Sequence, residues 1–221
     1  MATIVLNLKV YAESAADKAF QLAKAAKTAS ESSTHEIVVC PSLIDLGGVA
    51  GLTEQSAKFG VFSQHVDANA PGAFTGSVPI QLLTEWGVKG SLLNHSERRV
   101  TEEKIAAAIA EAQKRGFKII VCARDAEEGA LLAMLGPWAV AVEPPELIGS
   151  GISVSSAKPE VVSESVRMIK AVAPQVKVFV GAGVSNAADF KKSLELGAEG
   201  VLLASAFVKA TDPVAWLKEF G

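Results

Sequence analysis

A chain of 221 residues is long enough to bury one full core, and a formal net charge of −3 with pI near 5.7 excludes the broad basic face that nucleic acid requires. No run of Lys or Arg exceeds two residues, and no apolar run reaches the roughly 18 residues of a membrane span, so nucleic acid and membrane are both set aside as partners. Met1 to Val10 lacks a basic leader and is interrupted by Lys9, so no signal peptide is read there. Cys40 and Cys122 each close an apolar run without Cys-x-x-Cys spacing, which reads as two buried free thiols in a reducing, cytoplasmic setting.

In chain order, Thr3 to Tyr11 is β-branched and apolar, and a period of two puts Asn7 and Lys9 on one face. Glu13 to Ala29 reads as a helix with Ala16, Ala19, Phe20, Ala23 and Ala26 or Lys27 around its inner stripe. Glu36 to Cys40 is the second strand, stopped by Pro41, and a glycine-weakened helix spans Leu43 to Gln55. Gly60 to Val66 is the third strand, followed by a Pro/Gly/Ala-rich excursion from Asp67 to Gly76. A helix over Pro79 to Trp86 leads to a fourth strand, Gly90 to Asn94. Thr101 to Arg115 opens with Thr-Glu-Glu-Lys, which suits a helix N-terminus, and stops at Gly116. Lys118 to Cys122 is the fifth strand, Asp125 to Leu135 its helix, and Pro137 to Glu143 the sixth strand. Pro159 to Val172 is helical, Val176 to Val180 and Val201 to Leu203 are the last strands, and helices over Asn186 to Leu196 and Pro213 to Phe220 complete the pattern.

That makes eight strand–helix units of about 28 residues each, with no linker or change of composition between them. Continuous apolar strands alternating with amphipathic helices mean a parallel sheet, and eight units close naturally into a (β/α)8 barrel occupying residues 1–221 as a single domain. An open doubly wound sheet is the competing architecture. The barrel is preferred because polar residues cluster at the strand ends all along the chain rather than at one switch point.

Those polar ends carry the functional reading. The first strand ends with Asn7 and Lys9, the fourth with Asn94-His95-Ser96-Glu97-Arg98-Arg99, and the sixth with Glu143. The seventh ends in Gly181-Ala182-Gly183-Val184-Ser185 and the eighth in Ala204-Ser205-Ala206, small-residue turns whose bare amides suit an anion. A lone Glu before Pro is ordinarily a solvated loop residue, and His35 and His65 are assigned no function. In a barrel, however, Glu143, His95, Lys9 and the small-residue turns share one rim. After Glu143, Pro144 and Pro145 leave the strand stiffly and Gly149 and Gly151 re-enter flexibly, the pattern of a hinged lid over a base. Gly181-x-Gly183 is rejected as a dinucleotide fingerprint, because Asn186 stands at the third glycine position.

On these motifs (Asn7-x-Lys9, Asn94-His-Ser-Glu-Arg-Arg99, Glu143-Pro-x-x-x-Ile-Gly-x-Gly151 and Ala204-Ser205) the whole chain resembles triosephosphate isomerase, in the short form associated with archaea. The resemblance implies interconversion of dihydroxyacetone phosphate and glyceraldehyde 3-phosphate, with no metal or organic cofactor. It implies Glu143 as base, His95 and Lys9 as electrophiles, and Asn7, Ile148, Gly149, Gly183, Ala204 and Ser205 as substrate-binding residues. Glu97 would position Lys9, and Ile148 and Leu202 would clamp the base beneath the lid. Glu146 and Leu147 depart from the lid's usual residues, and Ala206 stands where related short forms often carry glycine. Phe74, at the tip of Gly72-Ala73-Phe74-Thr75-Gly76, implies at least a homodimer, with homotetramer equally open. Two other readings stand beside this one: a different phosphate-binding barrel enzyme with a Schiff-base lysine or paired carboxylates, and a non-catalytic relative, which would have lost Glu143, His95 or Lys9.

Overall fold

The computed structural model describes residues 1–53, 57–144, 155, 158–181 and 183–221. Eight strands run parallel: β1 (Thr3–Asn7), β2 (Glu36–Cys40), β3 (Phe59–Ser63), β4 (Gly90–Leu93), β5 (Lys118–Ala123), β6 (Ala139–Val142), β7 (Lys177–Val180) and β8 (Gly200–Leu203). Each pairs with the next, and β8 returns to β1 through Thr3↔Gly200 and Leu6↔Leu203. That last pairing makes the sheet a closed barrel and rules out the open alternative. Between the strands lie α1 (Asp17–Ser32), α2 (Leu46–Ala50), α3 (Ile80–Glu85), α4 (Glu102–Arg115), α5 (Ala126–Ala133), α6 (Pro159–Val172) and α7 (Ala187–Glu195), with α8 (Ser205–Val208) and α9 (Pro213–Lys218) following β8.

The strands are apolar on both faces because each face meets a different core. Val5, Val38, Phe62, Ile120, Phe179 and Leu202 point inward and fill the barrel, while alternate residues such as Ile4, Ile37, Val121 and Val178 pack under the helices. Inside, large rings need absent ones beside them. A Cβ on Gly90 would lie 2.4 Å from Phe62 Cε2, and one on Gly200 would lie 2.7 Å from Phe179 Cε1. Both glycines would also meet a neighbouring backbone carbonyl at 2.4 and 2.5 Å, so the two rings are housed by leaving out two side chains.

Several local expectations shift. The first strand stops at Asn7 instead of continuing to Tyr11, because Lys9 turns into the left-handed region at φ +48. The first helix begins only at Asp17, after a short 3-10 turn over Ala12–Ser14. Between them Ala16 takes φ +52 and donates its N–H to Asp45 Oδ1. Within the helix the buried face is Ala19, Leu22, Ala23, Ala26 and Ala29, so the expected Ala19, Ala23 and Ala26 are inside and Leu22, not Phe20, is buried beside them. The helix expected from Leu43 shortens to α2 and a 3-10 turn ending at Thr53, and its far end at Gln55 lies outside the described residues. The third strand ends at Ser63 rather than Val66, since the Ser63 hydroxyl donates to His65 O and accepts from His65 N, closing a tight turn. The sixth strand narrows to Ala139–Val142, so Glu143 stands one residue beyond it. Among the described residues, no helix is long and apolar enough to cross a membrane.

Candidate active site

A parallel barrel delivers every strand's C-terminal residue to one mouth, and most of the site expected from sequence meets there. Asn7, Lys9, His95, Glu143, Gly183, Leu202, Ala204 and Ser205 line a single cavity of about 160 Å3. Tyr11, Gly181, Val184, Ser185, Leu203 and Ala206 complete its wall. Glu97 stands beside it and lines the adjoining hollow with Lys9 and His95. Ile148 and Gly149, with the rest of the lid from Pro145 to Gly151, lie outside the described residues, as does Ala182.

Glu143 is held by its backbone, whose N–H donates to Ala123 O at 2.8 Å, extending the β5–β6 pairing one step past the strand. Its side chain is 4% exposed, and Oε2 has no hydrogen-bond partner among the described residues. Loss of water is therefore the main influence on this carboxyl. It raises the pKa to about 7, against a partial opposing effect of the Cys122 thiol and the Lys9 charge. Gly181 permits this placement, since a Cβ there would lie 2.3 Å from Glu143 Cγ.

Opposite stands His95, 7% exposed, with Nε2 3.6 Å from Glu143 Oε1, longer than a hydrogen bond. Burial lowers its pKa, the Lys9 charge lowers it further, and Glu97 opposes both, so the ring is neutral at pH 7. The tautomer follows from one contact. The backbone N–H of Glu97 donates to His95 Nδ1 at 3.2 Å, so Nδ1 is the acceptor and the ring's proton sits on Nε2, facing the cavity.

Lys9 reaches the mouth from a turn rather than from a strand. Asn7 Oδ1 accepts from Lys9 N at 3.0 Å, and Gln64 Nε2 donates to Lys9 O and to Cys40 O, fastening the turn to the end of β2. The Lys9 ammonium meets Glu97 Oε1 at 2.6 Å. Sequence reading missed Gln64 and Tyr11. Gln64 directly follows a strand end and Tyr11 lies two residues beyond Lys9, but neither carries chemistry that would single it out.

At the far wall, β7 leads to the Gly183–Ser185 turn and β8 to Ala204 and α8. Gly183 sits at φ +70. Asp189 stiffens the turn by accepting from the Ser185 amide and hydroxyl and from Asn186 Nδ2, while Asn186 caps α7 through Asp189 N. The four-residue α8 opens at the cavity wall: Ala204, Ser205 and Ala206 line the mouth, while Phe207 N and Val208 N both donate to Ala204 O at 3.2 Å. Among the described residues, no group of three or more His, Cys, Asp or Glu side chains is arranged to hold a metal ion.

A closed (β/α)8 barrel with a buried carboxylate, a neutral imidazole and an ammonium across one mouth from a small-residue wall defines a barrel enzyme. Residues 2–220 match the family model described as triosephosphate isomerase. The chain is 47% identical over 216 residues to a triosephosphate isomerase of Methanosarcina barkeri and 48% identical over 216 residues to one of Methanosarcina mazei, in each case covering 98% of this chain and 96% of the relative. It is 42% identical over 219 residues to one of Archaeoglobus fulgidus, covering 99% and 96%. The chain belongs to the triosephosphate isomerase family.

Proposed function

We propose that Glu143, His95 and Lys9 interconvert dihydroxyacetone phosphate and D-glyceraldehyde 3-phosphate through an enediolate. The chain is an aldose–ketose isomerase of triose phosphates, and its reaction serves glycolysis and gluconeogenesis. The observation that carries the assignment of roles is the buried Glu143 carboxylate facing the protonated Nε2 of His95 across 3.6 Å. Moving hydrogen between adjacent carbons of a hydroxyketone requires a base to take a carbon-bound proton and return it next door. Glu143, poorly solvated and with its pKa near 7, is matched to that task at neutral pH. The oxygens that gain charge need donors, supplied by His95 Nε2–H and the Lys9 ammonium.

Asn7 supports Lys9 from the strand end, Glu97 aims its ammonium, and Leu202 keeps the inner side of the cavity apolar. The phosphate rests on backbone amides at Gly183, Ala204 and Ser205, away from the reacting carbons, so its binding energy is available to order the site. Lys9 is engaged by Glu97 at 2.6 Å, an ion pair that a Schiff-base lysine would have to give up. In D2O, isomerisation of glyceraldehyde 3-phosphate followed by NMR is expected to leave deuterium on the transferred carbon. Turnover with no deuterium in product or recovered substrate would mean that no solvent-exchanging base takes part.

The phosphate assignment has its own test. Gly183→Asp places a like charge at the φ +70 turn and should weaken a phosphate-bearing inhibitor by at least about tenfold. Arg99 is engaged elsewhere, with Glu128 and with Asn94 O, so Arg99→Lys should lower thermal stability more than inhibitor affinity. Equal affinity losses in the two variants would remove the amide cradle from the account.

The same reading extends to assembly in a cytoplasmic setting, which two buried free thiols support. Asp67 ties the base of the excursion through its own N–H to Val78 O and through Val78 N to its Oδ2, both at 2.9 Å. Phe74, at the tip, is 55% exposed. A loop fixed at its base and apolar at its tip is built to enter a second copy, making the enzyme a homodimer or a homotetramer. Light scattering should show at least a dimer for the parent and a shift toward monomer for Phe74→Ser. A fully active parent monomer at nanomolar concentration would refute this.

A further inference from the structure

A left-handed asparagine stands directly before His95. Asn94 follows β4 with φ +63 and is 2% exposed, so its amide must find partners inside the protein. Nδ2 donates to Cys122 O at 3.0 Å near the end of β5, and Oδ1 accepts from Val100 N at 3.1 Å just ahead of α4. Its backbone carbonyl accepts from Arg99 Nη1 at 3.4 Å. One side chain thus fastens the exit of β4 to the exit of β5 and to the entry of α4. Cys122 also lies against the Glu143 carboxyl, so the bracing residue is one step from each member of the imidazole–carboxylate pair.

Glycine adopts φ near +60° without strain, and asparagine is among the few other residues that tolerate it. A turn that needed only the backbone angle would be met by glycine. Here both ends of the amide are bonded as well, one across to β5 and the other across the loop to Val100, two residues ahead of α4. We propose that Asn94 is a positioning residue for the reaction, its two side-chain bonds holding the His95 turn so that Nε2 keeps its place opposite Glu143. This rests on the reading of His95 as electrophile. A turn braced on two sides fixes the imidazole's donor direction, and a misplacement of about 1 Å in such a donor is enough to cost up to a hundredfold in rate.

The test compares Asn94→Gly, which keeps the backbone angle and removes both braces, with Asn94→Asp, which keeps the acceptor for Val100 N. The second variant replaces the donor to Cys122 O by a second oxygen and adds a buried carboxyl, and is therefore read at a pH low enough to keep that carboxyl protonated. In Asn94→Gly, kcat is expected to fall by about tenfold or more while KM changes by less than about threefold, with Asn94→Asp between it and the parent. The His95 Nε2–H proton resonance, assigned by its loss in His95→Gln, should be sharp in the parent bound to a phosphate-bearing hydroxamate that mimics the enediolate. It should broaden or shift in Asn94→Gly. Parent-like kcat and an unchanged resonance, with only the melting temperature lowered, would make Asn94 a fold residue and overturn the proposal. If Asn94→Gly does not fold, the same two readouts on Asn94→Asp decide. A fully active His95→Gln would instead overturn the reading of His95 itself, whatever Asn94 does.

Discussion

Glu143→Gln is expected to lower kcat by about three to four orders of magnitude while leaving the affinity for a phosphate-bearing inhibitor within a few-fold of the parent. The amide keeps the shape of the carboxylate and cannot take a proton from carbon. With Glu143 as the proposed base, the parent's kcat/KM should rise with pH through an acid limb near 7, since only an ionised carboxylate can take up a proton. Burial and the Lys9 charge lower the His95 pKa from the ordinary imidazole value, which favours the neutral ring over the same range. Activity of Glu143→Gln within tenfold of the parent would remove Glu143 as the base.

The same substitution should make the protein more stable, and the sign follows from linkage. Glu143 goes from an ordinary 4.5 to about 7 in the fold, so the native state binds its proton more tightly than the unfolded chain does. That effect lowers the parent's stability as pH rises from 4.5 through 7, and the loss persists above that range. Gln does not titrate. Its advantage should therefore be small near pH 5 and approach at most about 3 kcal/mol at pH 8.5, less whatever the buried amide loses in unmade hydrogen bonds. Melting curves at the two pH values check this, and an advantage that does not grow from pH 5 to pH 8.5 would mean that burial is not what raises the carboxyl's pKa.

Gly181→Ala should cost about a hundredfold in kcat, by moving the base instead of removing it. The new methyl would lie 2.3 Å from Glu143 Cγ and 2.9 Å from its Cδ. The β-strand carbonyl of Val142, which accepts from Gly181 N at 3.0 Å, fixes the backbone on both sides, so the side chain of Glu143 must give way. Space exists behind it, in a hollow lined by Ser96, Arg99, Cys122 and Arg124. The barrel should stay folded and the carboxylate should turn from His95 toward that hollow. A carboxylate that regains water there would also move the acid limb down toward ordinary values. A variant with kcat within threefold of the parent and an unmoved limb would show that Glu143 accommodates the methyl in place.

The polar residues that meet at the mouth were legible because strand ends are marked locally. An apolar run closed by Pro, Gly or a polar residue locates the mouth, and Asn7, Lys9, His95 and Glu143 all stand at such points. The eightfold repeat pointed to a barrel, and the β8–β1 pairing closes it. Phe20 shows the limit of periodicity. The period allows Phe20 or Leu22 beside Ala19, Ala23 and Ala26, and only packing against the barrel selects Leu22; likewise the Ala16 turn before the helix donates to an Asp45 carboxylate twenty-nine positions away.

What the sequence alone determined is therefore the order of the strands, the turn chemistry between them and the set of reactive groups at their ends, since each depends on residues adjacent in the chain. Tertiary structure decided how those groups behave. Lys9 faces the mouth because Gln64 and Asn7 hold its turn, and His95 carries its proton on Nε2 because the Glu97 amide faces Nδ1. The Glu143 carboxyl titrates near 7 because β5 and Gly181 close around it and exclude water. Proton affinity, tautomer and reach are set by what lies within a few ångströms in space, and in a barrel those neighbours come from strands far apart in the chain.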